Sequence, residues 1–158
     1  MALAQHYDGS RQMYENKESL SLEDDFRQSI EERTKVSLKK LPISYRVDFA
    51  ILDGTTVQGF CELKCRAVAS KTYDTLILSL GKWEALLNLR RSAENMRSRI
   101  CVRYTDGDFW YSVREDSPKE VTVKWGGRSD RGDWQDMEPV VHIPISLFRE
   151  FPENPRQD

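Results

Sequence analysis

Residues 45–66 read YRVDFAILDGTTVQGFCELKCR, and the fold turns on this stretch. From Tyr45 to Leu52 the pattern alternates, with Val47, Phe49 and Ile51 on one face and Asp48 and Ala50 on the other, which is the period of an extended strand. Asp53-Gly54 then supplies a turn, and Thr56 to Arg66 follows as the second strand of a hairpin. Along that strand Cys61, Leu63 and Cys65 alternate with Phe60, Glu62, Lys64 and Arg66, so the charged residues share one face. Counting back from the turn, Asp48 on the first strand can meet Glu62 and Lys64 on the second near one end of the pair.

Upstream of the hairpin, Ser21 can cap a helix running to about Thr34, because Leu22, Phe26 and Ile30 recur every four residues. Asp24 and Asp25 suit its positive end. Downstream, Ser79 to about Met96 reads as a second helix, with Leu80, Trp83, Leu86 and Leu87 at helical spacing beside a basic end. Arg99 to Tyr104 and Asp108 to Arg114 form a further hairpin across Asp106-Gly107. Val121 to Trp125 is a strand, Gly126 to Asp136 a loop, Val140 to Ile143 a short strand stopped by Pro144, and Ser146 to Phe151 a final helical turn. Helix, hairpin, helix and further strands in this order predict an α/β fold: a mixed central β-sheet flanked by helices, with additional C-terminal strands.

The chain of 158 residues has the size of one domain, which we place at 19–151, with loosely held ends at 1–18 and 152–158. Hydrophobic residues make up 39% and charged residues 32%, and four tryptophans argue against disorder. There is neither a membrane-spanning apolar run nor the charged and apolar blocks of a signal peptide, so a cytoplasmic protein with no membrane partner is expected. Three cysteines, Cys61, Cys65 and Cys101, then read as reduced thiols, and with only His6 and His142 to join them a structural zinc site is not expected. The net charge of −2 does not by itself favour a polyanionic partner, but its sign is uneven. Lys35 to Arg46, Lys64 to Lys82 and Arg90 to Arg103 are mostly basic, whereas Glu15 to Glu32 and the tail from Asp130 are acidic.

Two carboxylates and an amine converging on one point supply what metal-assisted phosphodiester hydrolysis requires: oxygen ligands for a hard divalent cation, and a positive charge near the developing negative one. Asp48, Glu62 and Lys64 are those groups. The competing reading is the solvent face of an amphipathic hairpin, but such a face should have polar neighbours, and here Ala50, Leu52 and Phe60 share the alternation. Glu15-Asn16-Lys17 has the same spelling as Glu62-Leu63-Lys64. It lies in an aperiodic polar segment without a partner acid and is assigned no function.

Val47-Asp48, thirteen intervening residues, and Glu62-Leu63-Lys64-Cys65-Arg66 together resemble the signature of the PD-(D/E)XK, or restriction endonuclease-like, superfamily. Residues from about Ser21 to Tyr104 follow that family's plan of a helix, strands bearing the motif, a return helix and a further strand. Val47 stands where the family name has proline, and only Val36 to Ser44 is available for the family's first core strand. The resemblance implies that Asp48 and Glu62, with the backbone carbonyl of Leu63, bind Mg2+ (Mn2+ substituting), while Lys64 orients the attacking water and stabilises charge at the phosphate. It also implies an acid from the first helix. Glu23, three residues before Phe26, is our choice and Glu31 the alternate, with ordinary helix-start electrostatics as the other reading of Glu23.

Arg66, Lys71 and Lys82 flank the motif and are candidates for DNA backbone contacts, or else solvated surface charges. Trp110, Trp125 and Trp134 can stack on unpaired bases, although packing is the commoner fate of tryptophan. His142, between Val141 and Ile143, reads as a packed strand residue. The function implied is a metal-dependent deoxyribonuclease of phage or bacterial type, acting on DNA as a homodimer: a Holliday-junction-resolvase-like, recombination or repair, or restriction-like endonuclease. The alternative is a noncatalytic nucleic-acid-binding or assembly module that retains the fold.

Overall fold

The computed structural model describes residues 17–152. Apart from Lys17, Glu18 and Pro152, the expected loose ends at 1–18 and 152–158 lie outside the described residues. Helix α1 spans Lys17–Thr34 and buries Phe26 and Ile30. It begins before Ser21, which is therefore an interior residue and not the cap, and Asp24 pairs with Arg27 at 2.7 Å mid-helix instead of facing the helix start. Leu22, expected in the apolar stripe, is 50% exposed. It meets the sheet through its backbone, the Cys65 thiol lying 3.8 Å from its carbonyl oxygen. Lys35, at φ +59°, ends the helix in the left-handed region.

Strands β1 (Ser37–Lys40), β2 (Phe49–Asp53) and β3 (Thr56–Cys65) follow. The expected hairpin forms between β2 and β3, with Asp53 paired to Thr56 across Gly54-Thr55 and Gly54 at φ +60°, a conformation glycine adopts without strain. β2 starts at Phe49 and not at Tyr45, because Ile43–Tyr45 forms a 3-10 turn and Arg46 reverses the chain at φ +60°. The reversal corrects the expected faces: Val47 packs with Ala50 and Phe60 on one side of the sheet, and Phe49 packs with Cys61 and Leu63 on the other.

β4 (Thr75–Ser79) leads directly into α2 (Leu80–Leu89), whose cap is Ser79: its Oγ accepts from the Lys82 N–H at 3.2 Å. The helix stops at Leu89, short of Met96, since the chain turns through Arg91 and Ser92, and Asn95 at φ +63° leads it out again. Then come β5 (Arg97–Tyr104), β6 (Gly107–Ser112), β7 (Thr122–Gly127), β8 (Met137–Pro144) and β9 (Arg149–Glu150). A 3-10 turn at Ile145–Leu147 and the short β9, paired to β6, replace the helical turn expected at Ser146 to Phe151.

The strands make two sheets, one ordered β1-β2-β3-β5-β6-β9 and one ordered β4-β8-β7. In the first, β3 and β5 are parallel and the other pairs antiparallel, the mixed sheet expected. One face packs on α1 through Phe26, Ile30, Leu38, Phe49, Cys61, Leu63 and Cys101. The other face packs on α2 and the inner side of the second sheet through Phe60, Ile100, Val102, Trp83, Leu86, Leu76 and Ile143. Both faces are thus closed by apolar layers, which β3 needs because its centre is buried on either side.

Candidate active site

Asp48 and Glu62 stand where the ladder between β2 and β3 gives out. The last paired residues are Phe49 and Cys61, and one step further the two side chains take over from the backbone. Asp48 Oδ2 accepts from the Leu63 N–H at 3.0 Å, and Glu62 Oε2 accepts from the Asp48 N–H at 3.2 Å. Outside the ladder the Asp48 carbonyl accepts from the Leu41 N–H at 2.9 Å, so the carboxylate-bearing residue is held from both neighbouring segments. Each carboxylate thereby uses one oxygen for the scaffold.

The remaining oxygens, Asp48 Oδ1 and Glu62 Oε1, turn toward one ammonium. Lys82, from the first turn of α2, is hydrogen-bonded to Glu62 Oε1 and lies 3.9 Å from Asp48 Oδ1. Lys64, two residues along β3 and on the same face, reaches Glu62 Oε1 at 3.2 Å. Lys40 at the end of β1 joins Glu23 Oε1 at 2.8 Å and Asp48 Oδ1 at 3.7 Å, and so links the α1 acid to the hairpin acids. A Cβ on Gly81 would stand 3.1 Å from Arg46 Nη1, so a small residue there gives the arginine room beside the start of α2.

Burial sets the electrostatics. Glu62 is fully buried, and desolvation raises its carboxyl above the ordinary glutamate range against the opposing pull of Lys64 and Lys82. Desolvation lowers the Lys64 ammonium, with Glu62 opposing. At Lys82 burial also acts downward, but the charges of Glu62 and Asp48 and the Glu62 hydrogen bond outweigh it and the net shift is upward. Thiols beside the site are inert by the same cause: burial pushes Cys61 well up and Cys101 to about 12.

The structure thus brings together Asp48, Glu62, Leu63, Lys64 and Lys82, with Glu23 one lysine away. Glu31, the alternate acid, is engaged elsewhere: it accepts from the Leu38 N–H at 3.0 Å and pairs with Arg27. Arg66 is exposed and donates to the Cys65 carbonyl at 3.2 Å; Lys71 is exposed on the following loop, which Asp106 anchors at Ser70. Among the described residues neither forms a hydrogen bond or ion pair with the carboxylates. Trp125 and Trp134 are 71% and 78% exposed, against the packing common for tryptophan, whereas Trp110 is half-buried. His142 is a strand residue of β8 with Thr75 Oγ1 at 3.0 Å from Nδ1. Lys40 was not singled out by its sequence; its only signal is membership of the basic run from Lys35 to Arg46.

Among the described residues no three His, Cys, Asp or Glu side chains stand close enough together to hold a metal ion. The donor chemistry nonetheless suits a hard divalent cation, because two carboxylate oxygens already converge on a positive charge in a buried setting. Asp48, Glu62 and the Leu63 carbonyl are the residues that would hold it.

A mixed sheet between two helices, carrying paired acids and a lysine at the fork of a hairpin, defines a nuclease of the restriction endonuclease-like kind. The chain belongs to the family described as "Phage putative PDDEXK endonuclease", which matches residues 9–151. Among solved structures it is similar in fold to Hjc of Archaeoglobus fulgidus, a Holliday junction resolvase from an archaeal hyperthermophile, with a TM-score of 0.55 and 14% identity, covering 85% of this chain and 92% of that one. No curated protein sequence matches. No helix among the described residues is long and apolar enough to cross a membrane.

Proposed function

We propose that this protein is a divalent-metal-dependent DNA endonuclease that uses Mg2+, or Mn2+ in its place, and acts in recombination or repair as a homodimer on branched or paired strands. The observation that carries this reading is the reciprocal bonding of the two acids to the facing backbone, Glu62 Oε2 accepting from the Asp48 N–H and Asp48 Oδ2 from the Leu63 N–H, which leaves one oxygen of each acid aimed at a common point. A bound cation there supplies Lewis acidity at the phosphate and a water of lowered pKa. Asp48, Glu62 and the Leu63 carbonyl hold it, with Glu23 as the helix acid once released from Lys40. Lys64 orients the attacking water and stabilises the charge that develops on the phosphate. Arg66, Lys71 and Lys82 contact the DNA backbone. The dimer supplies two sites for two strands, and the chain acts in the cytoplasm.

The test combines calorimetric titration with Mn2+ and cleavage of duplex, nicked, single-stranded and four-way DNA. Asp48→Asn should abolish both cation binding and cleavage. Lys64→Ala should keep cation binding and lose at least about a hundredfold in cleavage, the loss typical when a charge-stabilising group is removed. Cation binding that survives in Asp48→Asn, or equal loss of both properties in Lys64→Ala, would overturn these roles.

A further inference from the structure

The face of the first sheet opposite Glu62 and Lys64 carries a second concentration of positive charge. On β5, Arg97 pairs in register with Gly59 and Arg99 with Cys61, which places both arginines on the α1 side with Cys61 and Cys101. On β6, Trp110 pairs with Cys101 and Ser112 with Arg99, and Arg149 of β9 pairs with Trp110. The guanidinium carbons of Arg99 and Arg149 lie 4.6 and 5.7 Å from the centre of the Trp110 ring. Together with Arg97, Ser112 and Arg114 they line an open cleft of about 240 Å³.

Solvated surface charge is the ordinary explanation of exposed arginines, and three features of this cleft go beyond it. The first is compensation. Arg114 is held by Asp116 and Glu120, whereas among the described residues no carboxylate forms an ion pair with Arg97 or Arg149. In a chain of net charge −2 such a gathering is against the average. The second is the shared indole: a guanidinium placed over the Trp110 ring is held in position by it and loses less freedom on meeting an anion than a fully solvated arginine does. The third is shape. A concave site with several guanidinium forks suits a ligand with repeated phosphates, each able to accept a bidentate pair.

We propose that this cleft binds the phosphodiester backbone of a second DNA segment, separate from the strand cut on the other side of the sheet. The naming of DNA as the polyanion rests on the nuclease reading above. Arg97 and Arg149 are the principal phosphate contacts, and Trp110 positions Arg99 and Arg149.

The experiment measures binding of labelled duplex and four-way DNA by fluorescence anisotropy in EDTA, over a range of KCl, for the wild type, R97A/R149A and R97K/R149K. The alanine pair should bind roughly tenfold or more weakly at about 0.1 M salt, with the salt slope lowered by about 2; the lysine pair should keep the slope. Affinity and slope unchanged in a folded alanine pair would overturn the proposal. If that pair does not fold, Arg97→Gln and Arg149→Gln singly should each lower the slope by about 1, and unchanged slopes there would overturn it equally. Binding is read without metal, so the two readings fail separately. A wild type that never cuts would remove the nuclease reading and leave the cleft, whereas a cutting enzyme indifferent to the substitutions would remove the cleft alone.

Discussion

At Glu62 the needs of the fold and of the chemistry oppose each other. Burial raises its carboxyl above the ordinary range, so between the unfolded and folded values the folded chain holds a proton that the unfolded chain has released. The metal-free fold therefore loses stability as pH rises through that window, whereas a cation needs the ionised carboxylate and must displace the proton. Mn2+ affinity should climb over the same window above the ordinary glutamate range and then level off. Calorimetry at a series of pH values checks this, and an affinity flat across that window would show that Glu62 does not control binding. Lys82 is the second residue-scale case, because its ammonium occupies the two oxygens that a metal would use. Lys82→Met should tighten Mn2+ binding by roughly severalfold through loss of a competing positive charge, while weakening DNA binding. Weaker Mn2+ binding in that variant would instead make Lys82 a support of the site.

At the scale of elements, the parallel seam between β3 and β5 joins the motif-bearing hairpin to the later strands, and Gly59 sets how closely they approach. A Cβ there would stand 2.6 Å from the Arg97 carbonyl oxygen, a backbone atom that cannot turn aside. Gly59→Ala should cost about 1–3 kcal/mol, the range for overpacking, read as a lowered urea midpoint with unchanged slope. An unchanged midpoint would mean the strands can separate without penalty. The hairpin was legible from sequence because its signals are local: period-two alternation and one glycine at the turn. The same locality explains Glu62 and Lys64, which share a face wherever a strand forms. β4 and β9 were not legible, since Thr75–Ser79 pairs with β8 far along the chain and Arg149–Glu150 is too short to show a period. The overrun of α2 past Leu89 and the late start of β2 both reflect local reversals of the chain, the turn through Arg91 and Ser92 that Asn95 leads out of and the left-handed Arg46, which lacks the glycine that would have marked it. Lys40 and Lys82 reach the carboxylates through tertiary contacts that no spacing encodes.

For the whole molecule, α1 must be fastened to the sheet if Glu23 is to serve the site, and Asp108 is a principal fastening. Its carboxylate is nearly buried; it receives Arg103 through two bonds of 2.7 and 2.8 Å and Arg33 of α1 at 2.9 Å, while its carbonyl accepts from the Phe151 N–H at 2.9 Å. Arg103 in turn lies over the ring of Phe26, 4.9 Å from its centre, so the ion pair and the α1 core reinforce one another. One side chain thus ties α1 to β5 and β6, while its own backbone holds the chain just after β9. Asp108→Asn is nearly isosteric, so it removes charge without opening a cavity and leaves two guanidinium groups facing a neutral amide. Breaking a buried pair costs 3–5 kcal/mol in general, and since both arginines reach solvent the loss here should be at the lower end, about 3 kcal/mol. In a chain of this size that corresponds to a fall of roughly 6–12 °C in the thermal midpoint. Cleavage measured well below that midpoint should change little, because Asp108 bonds to Arg103 and Arg33 and not to Asp48 or Glu62. A midpoint lowered by less than about 2 °C would show that apolar packing of Phe26 and Ile30 fastens α1 unaided; a native midpoint with lost cleavage would place Asp108 in the chemistry instead.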